Sequence, residues 1–351
     1  MDGIQQINID RRLWPAVVPF DTKNPFQAAI LAGRKLGLVD TITPYLGEPV
    51  EPYRPAYASD SSFRYSNILP IRKTDVMLVT PPKTGTTLMQ QLCHQIKTRG
   101  GEDSMNFENI RDVSPWLDYV LTSGDDIEAL EDPRIFKTHR LLSDSRRGCK
   151  YIATIRKPED TFKSYFAFFQ DLRHPLVEIC KSASDLVLDT EFLFRKPYGG
   201  TLWDYFNEFW KAQEMDDLLV VPYEFLVSDL ETVAQKVASF IGEPALSPTE
   251  LENIKRNCNK EFMGSGEHKK KFESHVLDTA GRIMLVGRKV NLDEKPELTE
   301  AAKSILAQLW EKEMLSTTAM HSYDDFSNRF RERLLSRPPT HPKHLERESA
   351  D

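Results

Sequence analysis

The sequence predicts an α/β fold: one domain with a central parallel β-sheet flanked by helices, and three observations point to it. Near-continuous apolar, β-rich runs occur at VMLVT (76–80), RIFKTH (134–139), KYIATIR (150–156) and DLLVVPYE (217–224). Runs of this kind suit parallel strands buried on both faces. Helical segments with apolar residues near 3.6 spacing lie between and beyond them: TLMQQLCHQIK, EDTFKSYFAFFQDL, TLWDYFNEFWKAQ, LETVAQKVASFIG and LTEAAKSILAQLWEKEM. Finally, the first run passes through a tight loop, PPKTGTT (81–87), directly into the first of these helices.

With 351 residues and 40% hydrophobic content, the chain can bury a sizeable core. A formal net charge of −7 argues against general affinity for nucleic acid or an anionic membrane, so any anion site must be local. Cys93, Cys149, Cys180 and Cys258 lack C-x-x-C spacing, which argues against a zinc site and a disulfide framework and fits a reduced compartment. The start, MDGIQQINIDRRLWPAVVPF, lacks a basic segment followed by an apolar one, and no later apolar run approaches about 18 residues. A soluble cytoplasmic protein is the expectation. Residues 1–70, rich in proline around NPFQAAILAGRKLGL, read as an arm packing on the domain; 71–336 form the domain, and 337–351 a disordered tail.

The loop at 81–87 resembles a P-loop but does not follow G-x-x-x-x-G-K-[ST], because its lysine precedes the glycine. It stands at the C-terminal end of a strand and at a helix N-terminus, where free N–H groups and the dipole favour an anion. Lys83 supplies a mobile charge, Gly85 allows close backbone approach, and Thr84, Thr86 and Thr87 offer amides and hydroxyls. The plainer alternative, threonines capping a buried helix, accounts less well for Pro81, Pro82 and Gly85.

Arg156 ends another strand, and Lys157-Pro158 opens a helix with Glu159 and Asp160 in its first turn. Ser164 lies about two turns on, so the guanidinium and the hydroxyl could grip one phosphate. Lys137 and His139 end a third strand. His139 is either a hydrogen-bonded structural residue or, beside an anion loop, a base for a hydroxyl or amine nucleophile. Arg288 and Lys289 follow a glycine in VGRKVNLDEKPELT, where paired cations are commonly solvated. The stretch GSGEHKKKFESHVLDTAGRIM (264–284) reads as a mobile flap, with HKKK as a solvated loop.

Taken in order, these blocks resemble the cytosolic sulfotransferases that use 3′-phosphoadenosine 5′-phosphosulfate (PAPS). PPKTGTTL is similar to the family's 5′-phosphosulfate loop, FKTH to its K-T-H, and RKPEDTFKSYFAFF to its 3′-phosphate motif. SPWL (114–117), YGGTLWDYFNEFW and VPYEFL are further matches, so that the resemblance spans roughly residues 70 to 315.

It implies metal-free sulfuryl transfer from PAPS to a small-molecule acceptor such as a phenol, steroid, alcohol or amine. By position, Lys83 would bind the bridging and leaving phosphate oxygens. Thr84, Gly85, Thr86 and Thr87 would cradle the 5′-phosphate. His139 would be the base, assisted by Lys137. Arg156 and Ser164, with Arg288 and Lys289, would hold the 3′-phosphate, and Tyr223 would contact the adenosine.

The chain departs from the family pattern where Leu88 replaces a tryptophan that stacks on adenine. Thr84 replaces a serine, and GRKVNLDE lacks both glycines and the tryptophan of its counterpart. In KPELTEAAKS, Glu300 and Ser304 replace residues of the family dimer motif, so the usual dimer is not expected. The rival reading is a nucleotide-dependent phosphotransferase, or a nucleotide-binding relative that transfers nothing. A phosphotransferase would need Mg²⁺ and a strand-end carboxylate to hold it.

Overall fold

The computed structural model describes residues 69–338 apart from 119–126, 128, 146–147, 172–176, 178–179, 189–190, 195, 197, 273, 278–282 and 287–296. Nearly all of the expected N-terminal arm, the tail beyond 338, and Arg288 and Lys289 therefore lie outside the described residues.

All four apolar runs form strands: β1 (Val76–Val79), β2 (Ile135–Thr138), β3 (Lys150–Ile155) and β4 (Leu218–Pro222). They pair in parallel in the order β2-β1-β3-β4. Alternate residues serve opposite faces, as the two-residue period of a strand requires. Met77, Val79, Tyr151, Ala153, Leu218 and Val220 join one core cluster, whereas Val76, Leu78, Ile152, Leu219 and Val221 join the other.

The second cluster is covered by α1 (Thr86–Lys97), α4 (Leu230–Ile241) and α5 (Pro248–Asn257). The first is covered by α2 (Pro158–Asp171), α3 (Leu202–Lys211), α6 (Glu300–Trp310) and α7 (Tyr323–Ser336). Helix starts follow local chemistry: Thr201 with Asp204, and Ser247 with Glu250, form reciprocal capping boxes. Thr299 caps α6 by accepting from Ala302 N–H, so Glu300 and Ser304 of the expected dimer stretch lie on its opening turns. No helix among the described residues is long and apolar enough to cross a membrane.

The strand order has a consequence for ligands. From β1 the chain crosses to β2 on one side, and from β3 to β4 on the other. The loops leaving β1 and β3 therefore diverge, opening a crevice between their C-terminal ends.

Some expectations change. The run at 217–224 ends as a strand at Pro222, and Tyr223 and Glu224 begin a short helix, Tyr223–Ser228. HKKK is not a loop: it lies in the helix Gly266–Lys271, pinned where Phe272 enters a cluster with Phe107, Ile110 and Met263, and where Lys271 Nζ donates to Phe107 O at 2.5 Å. Beyond it, Ser274–Leu277 and Ile283–Val286 pair as an antiparallel hairpin, β5 and β6, within the stretch expected to be a flap. Arg337, the first residue of the expected tail, donates from Nη1 to Leu218 O at 2.7 Å, and its own carbonyl accepts from Lys236.

Candidate active site

The loop after β1 is shaped by two residues in left-handed conformation, Lys83 at φ 71° and Gly85 at φ 110°. Gly85 is the N-cap of α1 and makes no side-chain cap hydrogen bond. The first-turn N–H groups of α1, which no helix can satisfy internally, are thus not consumed by a capping side chain. Instead the threonine hydroxyls bond to one another and to the backbone. Thr84 Oγ1 donates to Pro81 O at 2.7 Å and lies 2.8 Å from Thr154 Oγ1 of β3, and Thr80 and Thr86 hydroxyls are 2.6 Å apart. Thr84 and Thr86 are buried. Their hydroxyls brace the loop across β1 and β3, which leaves its amides as the groups suited to an anion.

Only glycine fits at position 85. A Cβ there would stand 2.5 Å from Tyr223 Cδ2, in a backbone conformation that costs an L-residue about 1–2 kcal/mol. Gly85→Ala is expected to lower the melting temperature by several degrees, read by thermal unfolding.

Arg156 reaches this loop from the end of β3. Its Nη1 donates to Lys83 O at 3.1 Å and its guanidinium lies 4.3 Å from the Tyr223 ring centroid, so the loop, Arg156 and Tyr223 form one unit. Arg156 Nε is buried and has no hydrogen-bond partner among the described residues. The next residue is held by Glu224, which accepts from Lys157 N at 2.9 Å and from the Tyr323 hydroxyl at 2.8 Å. Burial, and then the Glu224 charge, push the Tyr323 phenol well above its ordinary pKa, which keeps it a donor. Ser164 is partly buried on α2.

His139 lies just past the end of β2, across the crevice from Arg156, and is held at three points. Its Nδ1 is 2.7 Å from Thr80 O, its backbone N donates to Asp118, and its carbonyl accepts from the buried Tyr205 hydroxyl. Because a carbonyl only accepts, Nδ1 carries the proton and Nε2 of the neutral ring is the basic nitrogen. Burial holds the imidazole well below its ordinary pKa, and Lys137 and Lys83 lower it further. Lys83 Nζ rests 4.2 Å from the Phe168 ring centroid and Lys137 Nζ 3.9 Å from that of Trp116.

An anion loop, an arginine and a neutral histidine at neighbouring strand ends could bind a phosphorylated donor and deprotonate a nucleophile. The model of the sulfotransferase domain family matches residues 73–318, well over half of the chain. The chain belongs to the sulfotransferase family.

Sulfuryl transfer is the chemistry of this family, and phosphoryl transfer is not favoured. The chain is 29% identical over 201 residues to human Sulfotransferase 4A1, covering 54% of this chain and 67% of that one. It is 29% identical over 203 residues to Cytosolic sulfotransferase 14 of Arabidopsis thaliana, covering 51% and 57%. Among solved structures, mouse sulfotransferase SULT7A1, complexed with PAP, superposes with a TM-score of 0.55 at 16% identity over 79% of this chain and 95% of that one. Retinol dehydratase, with androsterone and PAP, gives 0.57 at 18% over 74% and 86%. At these identities the likeness is one of fold.

Of the residues singled out in the sequence, the loop 83–88, Arg156 and Tyr223 meet at the crevice, and His139 is tied to β1 through Thr80. Leu88 is partly buried and packs against both the α1-side core and the Phe107, Met263 and Phe272 cluster. Residues missed are those that hold the others: Thr80, Thr154, Tyr205, Glu224 and Tyr323. Tyr205 stands inside a block that resembles the family, which was a usable signal. The Glu224 and Tyr323 pairing joins positions 99 apart, and nothing local announces it.

Proposed function

We propose that this sulfotransferase takes PAPS as donor and a hydroxyl or amine of a small molecule as acceptor, with His139 as the base. The observation that carries the reading is the convergence on the crevice between β1 and β3. There the uncapped start of α1 meets Arg156, whose buried Nε has no hydrogen-bond partner among the described residues, and His139 stands neutral at the adjoining strand end. These residues fit a bisphosphorylated nucleotide: amides at a helix N-terminus and a guanidinium for two phosphates, and a glycine that lets the backbone approach closely. The PAP complexes of the two structural neighbours support the same donor.

When bound, the donor supplies an activated sulfuryl group. The amides of Thr84 to Thr87 bind the 5′-phosphate, and Lys83 turns from Phe168 to neutralise charge on the leaving oxygen. Arg156 and Ser164 bind the 3′-phosphate; Arg288 and Lys289 are assigned to it by resemblance. Tyr223 and Leu88 contact the adenosine, with Leu88 offering an apolar side chain where the family has a ring. Nε2 of His139 takes the acceptor proton while Lys137 stabilises developing charge. No metal is required. The androsterone and retinol found with retinol dehydratase support a small-molecule acceptor, and a cytoplasmic location accords with the cytosolic relatives.

A thermal-shift comparison tests the donor. Adenosine 3′,5′-bisphosphate at about 100 times its dissociation constant should stabilise the fold by about 2.7 kcal/mol, clearly more than ADP at the same concentration. Arg156→Ala should erase that preference. Equal stabilisation by the two nucleotides, or transfer that strictly needs ATP and Mg²⁺, would sink the reading.

A further inference from the structure

The segment SPWL matched the family in sequence but received no role, and the residue that follows it is Asp118. Residues 115–118 run alongside the free edge of β2: Lys137 N donates to Pro115 O and Leu117 N donates to Lys137 O, each at 2.8 Å, so that Trp116 pairs in parallel with Lys137. With a two-residue period, Trp116 and Asp118 then face Lys137 and His139.

The Asp118 carboxylate is fully buried and gathers the turn around itself. It accepts from the Trp116 indole at 2.8 Å, from the Thr138 hydroxyl at 2.9 Å and from His139 N at 2.8 Å, and Arg140 Nε lies 3.3 Å away as a buried counter-charge. Through the indole it sets the ring on which the Lys137 ammonium rests, and the same ring meets the His139 imidazole edge to face at 5.2 Å.

A buried charge is costly unless every lone pair is used, and this one spends its hydrogen bonds on the backbone of His139, on Thr138 and on the indole against which Lys137 rests. We propose that Asp118 is a positioning residue that aims both His139 and Lys137, the first through its backbone and the second through Trp116. This rests on the reading of His139 as the base, which His139→Ala tests by itself.

The experiment compares wild type, Asp118→Asn and Trp116→Phe in the full chain saturated with adenosine 3′,5′-bisphosphate. Asp118→Asn keeps the side-chain shape but loses the charge, and Trp116→Phe keeps a ring but loses the indole donor. With ¹⁵N-labelled histidine, the His139 ring signals are identified by their loss in His139→Ala. Both variants should move or broaden those signals while bisphosphate affinity stays within about twofold. On the acceptor that the wild type turns over fastest, single-turnover transfer should fall by an amount on the order of 10–100-fold in Asp118→Asn and less in Trp116→Phe.

Unchanged ring signals in both variants overturn the proposal, as does a parallel loss of bisphosphate affinity and transfer, which marks a general structural role. Should Asp118→Asn not fold, Trp116→Phe decides by the same criteria.

Discussion

His139→Ala is expected to lower sulfuryl transfer by about 10²–10⁴-fold while leaving adenosine 3′,5′-bisphosphate binding nearly unchanged. The separation follows from geometry. The bisphosphate site assigned here is built from the α1 start, Arg156 and Tyr223, whereas His139 contributes an imidazole held through Nδ1 on Thr80 O. The measurement is radiolabel transfer from PAPS to an acceptor panel, beside calorimetric titration with the bisphosphate. The pH dependence has a definite sign. Burial, Lys137 and Lys83 all hold the His139 pKa down, so in the free enzyme the ring is neutral and competent at pH 6.5 and above. The acid limb of kcat/KM should therefore lie well below 6.5, where an ordinary histidine would place it near that value. Lys137→Met removes one of the lowering charges and should move the limb upward. A kcat/KM limb near or above pH 6.5 in the wild type would contradict this environment.

The largest stability effect is expected far from the crevice, at the opposite end of the sheet. Asp75 and Arg134 form a bidentate pair with contacts of 3.0 and 2.7 Å, both essentially without solvent exposure. The pair is fully used: Arg134 Nη2 also donates to Pro70 O at 2.8 Å, and Asp75 Oδ2 accepts from Arg72 N at 2.7 Å. It joins the entries of β1 and β2, where Val76 N already donates to Arg134 O. Arg134→Met strands a buried carboxylate and should cost about 3–5 kcal/mol. For a domain of this size that is a fall in melting temperature of roughly 6–20 °C. Replacing both partners, Asp75→Asn with Arg134→Met, should recover part of the loss, because no uncompensated charge remains. Equal losses in the single and double variants would show that the charges are not what the site depends on.

The sheet was legible because its strands are buried on both faces, so each appears as an apolar run that local composition alone reveals. The loop between β1 and α1 was legible for a similar reason, since Gly85 must adopt a conformation and a closeness to Tyr223 that no other residue tolerates. Helix α7 was readable but missed: Tyr323, Phe326, Phe330 and Leu334 recur at helical spacing and are all buried. The short helix at HKKK was misread, because four polar residues carry no periodicity of their own and Phe272 and Lys271 anchor them to a distant segment.

The sequence by itself determined the α/β class, the resemblance to the sulfotransferase family, and the position of the glycine- and threonine-rich loop at a helix start. Only the tertiary structure decided which hydroxyls brace the loop, which histidine nitrogen is basic, and that Asp118, Tyr205 and Glu224 hold the site in place. Hydrogen bonds between residues tens to a hundred positions apart leave no periodic trace in a chain. They exist only once parallel strands have brought those positions together, and it is there that His139 is held through its backbone N and carbonyl, and Lys157, next to Arg156, through its backbone N.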